Sequence, residues 1–218
     1  MNKLISIIMP VKNGKNYMQQ AIDSIKKQNQ NIELIVINDG STDETEQIAR
    51  ENNCIVINHP QSKGQVVGKN SGLKVAKGDY IMFCDHDDVL ACDAIETMLK
   101  EFDCDSDLKV VNAKIKDFIS PDATNKEQTI KQEAYYGCLA GSMLFKKEVF
   151  DIIGQFDEKV QAGEIIDLMS KLEKNNLKVK KIDFISSNRR IHDTNYGKTA
   201  KKAEFKDYAA LLRARMKR

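Results

Sequence analysis

The chain has 218 residues, 41% of them hydrophobic, enough to bury one sizeable core. Its 34 Lys and Arg nearly balance 32 Asp and Glu, so the formal charge of +2 does not point to nucleic acid as a partner. Charge is nevertheless uneven, with +7 on residues 189–218 and −5 on residues 1–188.

Five cysteines, Cys54, Cys84, Cys92, Cys104 and Cys138, include no C-x-x-C pair. That argues against a disulfide framework or a thiolate zinc site and fits reduced thiols in a cytoplasmic protein. The apolar run over 4–9 is too short for a signal-peptide core with its cleavage site and reads as a buried strand. No stretch approaches the roughly 18–20 apolar residues that cross a bilayer.

In chain order, strand and helix signals alternate through the first half, the pattern of a parallel sheet covered by helices. The strand over 4–9 ends at Pro10, and Tyr17, Met18, Ala21, Ile22 and Ile25 then recur at helical spacing. An apolar strand over 32–37 runs into Asn38-Asp39-Gly40. Ser41 as N-cap with Glu44 three residues on forms a capping box that opens a helix through about 51. A short strand over 55–57, a Gly-punctuated helix through Leu73 and Ala76, and a strand over 80–84 follow. The next helix carries Ala91, Ala94, Ile95, Met98, Leu99 and Phe102 on one face.

The second half is less regular. A strand is expected over 108–115, a polar loop over 120–132, a strand over 138–145 and a helix over 146–153 stopped by Gly154. A helix over 164–175, a strand over 177–182 and a basic helix over 203–216 complete the chain. A soft boundary falls near residue 110.

Three segments carry chemistry. Asp85-His86-Asp87-Asp88 follows an apolar strand, and carboxylates crowded there repel one another unless a cation sits among them. A hard divalent ion bound by one or two carboxylates answers that need, and a solvated acidic loop is the alternative. At another strand end, Asp39 is able to accept hydrogen bonds from a nucleobase, while a plain turn capped by Ser41 explains the same residues. The segment 64–72 offers glycines for close approach and Lys69 for a phosphate, but matches neither a P-loop nor a dinucleotide fingerprint.

The segments 7–13 (IIMPVKN), 36–43 (VINDGSTD), 69–73 (KNSGL) and 78–88 (GDYIMFCDHDD), with 141–150 and 154–158 further on, resemble the family 2 glycosyltransferases in order and spacing. The likeness spans roughly residues 4–192. It implies an α/β GT-A fold, a Rossmann-like, mostly parallel sheet flanked by helices, with a less regular acceptor-side half. Residues 1–110 would then hold the nucleotide sugar and 111–192 the acceptor, with 193–218 a basic C-terminal helix. The implied reaction moves a sugar, with inversion, from a nucleotide diphosphate donor, commonly a UDP-sugar, to a saccharide, lipid-linked sugar or peptide.

Carried onto this sequence, the resemblance gives Asp39 the base and sets Pro10, Val11 and Asn13 in the nucleotide-contacting loop. Asp85 and Asp87 match the DxD motif that holds Mn²⁺ or Mg²⁺ against the diphosphate, with His86 between them and Asp88 beside them. Lys69 would share the phosphate charge. His192, after the final core strand, would complete the metal site, a role an imidazole fills better for Mn²⁺ than for Mg²⁺.

The sequence departs from the family at 164–165, where Glu-Ile stands in place of the usual Glu-Asp. Isoleucine accepts no proton, so the general base falls to Glu164 or, one turn on, Asp167. A non-catalytic sugar-nucleotide-binding protein is therefore the rival reading. A D-x-D-x-V phosphohydrolase ranks lower, because its motif belongs on a first strand, and a nucleotidyltransferase lacks its glycine-rich opening loop. The basic tail reads as a solvated helix, or as a peripheral contact with an anionic membrane through Leu211, Leu212 and Met216.

Overall fold

The computed structural model describes residues 3–124, 130–138, 141–160 and 163–195. The basic helix expected over 203–216 and most of the tail lie outside them. β1 (Leu4–Val11), β2 (Asn31–Asp39), β3 (Ile55–His59) and β4 (Tyr80–Phe83) form the parallel part of one sheet, in the order β3-β2-β1-β4. Between them run α1 (Met18–Lys26), α2 (Thr45–Glu51) and α3 (Gln65–Val75). Every second residue of β1 faces a different layer, as strand geometry requires. Ile5, Ile7, Met9 and Val11 pack with α1, and Ile8 packs with α3.

The sheet then continues through the second half. β5 (Val89–Leu90), α4 (Ala94–Cys104), β6 (Val110–Ile119), β7 (Tyr135–Tyr136), β8 (Met143–Lys146), α5 (Glu148–Ile153), α6 (Glu164–Lys174) and β9 (Val179–Ile191) follow in sequence. In space β4 pairs antiparallel with β8, then come β6, β9 and β5, with β7 on β6. One apolar cluster lies under α1 and α4; the other joins α3, α5 and α6 around Phe83, Phe145 and Phe156.

Several expected boundaries change, each for a tertiary reason. β1 runs through Pro10 to Val11 because β4 pairs only with Ile5–Ile8, so no ladder on that side needs the missing N–H. The capping box is replaced: α2 begins at Thr45, and Asp43 rather than Ser41 bonds the Thr45 N–H. Ser41 instead accepts the Asn13 N–H at 3.0 Å, tying two loops together. The strand expected over 138–145 starts only at Met143. The one expected over 177–182 extends to Ile191, since pairing with β6 and β5 outweighs polar side chains such as Asn188 and Arg189. Within 64–72, Gly72 serves packing: a Cβ there would stand 2.4 Å from Ile8 Cγ2, so α3 closes on β1 only with glycine at that position, while Gly64, at φ 90°, has open space around it.

Candidate functional site

The carboxyl ends of β1, β2 and β4 and the end of β9 converge on one region, the end of a parallel sheet where ligands bind. Asp39 closes β2 and is buried. Its Oδ1 accepts from His59 Nδ1 and the Lys63 N–H, both at 2.8 Å. Its Oδ2 accepts from the Ser62 hydroxyl at 2.8 Å and the Gly64 N–H at 2.9 Å. Burial alone would raise this carboxyl, but those four donors outweigh it and hold Asp39 below the usual carboxylate range. His59 passes the contact to Ser71 at 3.0 Å.

Asn13, in the loop after β1, sits at φ 53° and accepts the Thr42 N–H at 2.9 Å through Oδ1. Pro10 and Val11 are buried, Val11 within the α1-side cluster, whereas Lys12 and Asn13 beyond them are exposed. The His86 ring lies over Gly14, where a Cβ would stand 2.9 Å from it, and this brings the acidic run against the loop.

Asp85, Asp87 and Asp88 each offer an oxygen within 4.8 Å of the others. Asp85 is pushed up by burial and then by Asp87. Asp88 is pushed well above the carboxylate range by burial, Asp85 and Asp87; its Oδ1 accepts the Arg190 N–H at 2.9 Å, and its buried Oδ2 has no hydrogen-bond partner among the described residues. Asp87 goes the other way: burial would raise it, but His192, with Nε2 2.9 Å from its Oδ2, draws it down. Crowded oxygens with one orphan among them fit a divalent cation, and an imidazole within reach adds a borderline donor.

The candidate bases separate clearly. Glu164 opens α6, and its Oε1 accepts from Lys69 Nζ at 2.8 Å with both side chains largely buried. Burial would raise Glu164, but the Lys69 ammonium outweighs it and the carboxyl sits below its ordinary value. Both charges act on Asp85, so the pair borders the acidic run. Asp167 turns instead to Lys171 at 2.8 Å, one turn along the helix. Ile165 packs into the α3-side apolar cluster.

Several supporting residues carry no sequence signal of their own. Arg190 donates to the Asp87 carbonyl at 2.9 Å and lies between Tyr17 and Phe118, 4.8 and 4.7 Å from the ring centroids. Asn195 accepts the His192 N–H and donates to the Arg190 carbonyl, fixing the turn that presents His192. Asn70 bonds both the N–H and the carbonyl of Phe156, fastening α3 to the segment before α6.

Sheet order, helix layers and the acidic strand end define a GT-A transferase fold. The model of glycosyl transferase family 2 matches residues 6–156, and the chain belongs to that family. Among curated relatives, it is 33% identical to an uncharacterized glycosyltransferase of Rickettsia typhi, over 95% of this chain and 70% of the relative. It is 36% identical to glycosyltransferase GlyG of Streptococcus pneumoniae, over 51% of this chain and 40% of that one.

Solved structures agree in fold. S. aureus TarS 1-349 in complex with UDP-GlcNAc gives a TM-score of 0.73 at 20% identity, covering 90% of this chain and 61% of TarS 1-349. Glucosyl-3-phosphoglycerate synthase from Mycobacterium tuberculosis, in complex with Mn²⁺, UDP and glucosyl-3-phosphoglycerate, gives 0.68 at 17%, covering 96% and 79%. The chain thus spans from two fifths to four fifths of these relatives' lengths. Among the described residues, no helix is long and apolar enough to cross a membrane.

Proposed function

We propose that the chain transfers a sugar from a nucleotide diphosphate donor, a UDP-sugar, to an acceptor hydroxyl with inversion, and needs Mn²⁺ or Mg²⁺ to do so. The observation that carries this reading is the carboxylate cluster of Asp85, Asp87 and Asp88 at the end of β4, which needs a cation to satisfy it. TarS with UDP-GlcNAc and the synthase with UDP and Mn²⁺ share this fold, which supports the same donor chemistry here. In this reading residues 1–110 bind the donor, 111–192 face the acceptor, and Pro10, Val11, Asn13 and His86 border the nucleotide. Asp39 reads the base by exchanging one of its present hydrogen-bond partners for the base N–H.

Asp85 and Asp87 would hold the cation, with His192 beside them, and a cation there would supply charge neutralisation for the departing diphosphate. Glu164, ionised at neutral pH, takes the acceptor proton as the acceptor oxygen bonds to the anomeric carbon and the nucleotide diphosphate leaves with the electrons of its glycosidic bond. Lys69 orients Glu164 in the free protein. A diphosphate that draws Lys69 towards itself frees the carboxylate and makes it a stronger base.

Ile165 packed against the apolar cluster and Glu164 locked to Lys69 favour one second reading, a sugar-nucleotide-binding protein without turnover. A thermal-shift panel of nucleotide sugars with and without Mn²⁺ tests the main reading. Uridine nucleotides should stabilise the wild type in a metal-dependent way, and Asp87→Ala should lose the metal dependence. Stabilisation that ignores metal sinks the assignment of the acidic run. Donor hydrolysis or transfer that disappears in Glu164→Gln with donor binding intact supports the transferase; tight binding with no turnover supports the rival.

A further inference from the structure

Beside the acidic run, the second half of the sheet builds another charged cluster that the reaction as described does not use. β6 and β9 run parallel with Asp117 opposite Arg189. The Asp117 side chain is only 5% exposed. Its Oδ1 accepts the Tyr135 hydroxyl at 2.8 Å and its Oδ2 accepts the Lys131 N–H at 3.2 Å. Arg189 Nη1 donates to the Tyr135 oxygen at 3.2 Å and lies 3.8 Å from Asp117 Oδ1. Burial, and then Asp117, raise the Tyr135 phenol, so it stays neutral, donating to the carboxylate while accepting from the guanidinium. The Lys131 ammonium stands 3.6 Å from the centre of the Tyr135 ring.

One buried carboxylate thus pairs with the Arg189 guanidinium and, through the Lys131 N–H and the Tyr135 hydroxyl, fastens the segment whose Lys131 ammonium lies over the Tyr135 ring. The Arg189 side chain is 41% exposed, and its remaining donors meet no acceptor among the described residues. Lys131 has no carboxylate partner for its ammonium there either. A guanidinium gripped at one corner presents its free edge to a carboxylate or phosphate in bidentate geometry. Arg189 directly precedes Arg190, whose N–H bonds Asp88 Oδ1 at 2.9 Å, so the cluster sits one residue along β9 from the acidic run.

We propose that Arg189 and Lys131, oriented by Asp117 and Tyr135, form a subsite for an oxyanion carried by the acceptor. That oxyanion is the phosphate of a polyol or sugar phosphate, or the carboxylate of a uronic acid. The inference rests on reading residues 111–192 as the acceptor side of a transferase. A neutral saccharide would leave Lys131 without a carboxylate and Arg189 with only the distant Asp117 charge, whereas an acceptor oxyanion supplies both with a partner beside the carboxylates that hold the donor.

Binding of glycerol 3-phosphate, glucuronate, glycerol and glucose to the full chain, measured by calorimetry in EDTA so that no metal bridges, tests this. One of the two anions should bind at least about tenfold more tightly than the neutral compounds, and whichever does identifies the oxyanion. Arg189→Ala should abolish that preference, Arg189→Lys should keep part of it because the charge remains without the fork, and Tyr135→Phe should weaken it while leaving the ring. Equal binding of charged and neutral probes overturns the proposal, as does undiminished preference in both Arg189→Ala and Tyr135→Phe. A repeat with UDP and Mn²⁺ separates the two sides of the site. Displacement of the anion by UDP puts it on the donor side and overturns the subsite. Failure of UDP to bind at all breaks the donor reading, while the Arg189 variants still decide the subsite.

Discussion

Asp39 and Asp88 sit at the carboxyl ends of β2 and β4, the two strands that flank β1, yet their surroundings are opposite. Asp39 receives four hydrogen bonds and is stable as an anion in the protein alone. Asp88 receives one, from Arg190, with an orphan oxygen and two more carboxylates against it. Counting donors around each acid distinguishes a carboxylate that fastens a loop from one that awaits a cation. The Asp39 cluster holds residues 62–64 at the head of α3; the acidic run holds the end of β9 through Arg190 and His192, yet its crowded carboxylates repel one another.

The largest contrast should appear in activity. Asp87→Ala should lower transfer about 10³-fold, about 4 kcal/mol of barrier, in a protein that still folds. Retention of more than a tenth of wild-type turnover would mean that the acidic run is not the reaction centre. In stability the order reverses: Asp39→Asn turns one oxygen into a donor facing other donors and should cost about 3 kcal/mol in urea unfolding. A loss under about 0.5 kcal/mol would show that the four hydrogen bonds do not hold the loop.

Mn²⁺ at a hundred times its dissociation constant should stabilise the wild type by about 2.7 kcal/mol, and much less in Asp88→Asn if all three carboxylates share the ion. Without metal, Asp88→Asn should be about 1 kcal/mol more stable than wild type, because one like charge is gone. A less stable metal-free variant would contradict the picture of a self-repelling cluster.

Acid titration sharpens the same comparison. Asp39 and Glu164 are held low in the fold, so their contribution is fully present above their unfolded values near ~4 and is lost as pH falls through the folded values. Asp88 is raised, so the metal-free fold loses stability as pH rises from ~4 towards its folded value. Unfolding curves against pH in EDTA should therefore show the acid limb flattened in Asp39→Asn and the opposing limb flattened in Asp88→Asn. Superimposable curves for the two variants would remove the distinction.

The strands of the first half were legible in the sequence because each is a short apolar run bounded by turn residues, and local pattern suffices for a strand buried on both faces. The acidic run was legible for the same reason: Tyr80–Phe83 delivers it directly, in chain order. Glu164 was reachable through the departure from the family at Ile165, but its partner was not. Lys69 and Glu164 are 95 residues apart, and only the packing of α3 and α6 on the same sheet face brings them to 2.8 Å.

Sequence by itself therefore determined the apolar strands of the first half, the family and the crowding of carboxylates after β4, all of which rest on local patterns in the chain. Tertiary structure alone decided which carboxylates are satisfied. Asp39 draws its donors from residues 20 to 25 positions away and His192 meets Asp87 across 105 positions. Arg189 joins Asp117 and Tyr135 only because β6 and β9 pair. Hydrogen-bond satisfaction depends on which atoms surround a group in space, and no local pattern records that.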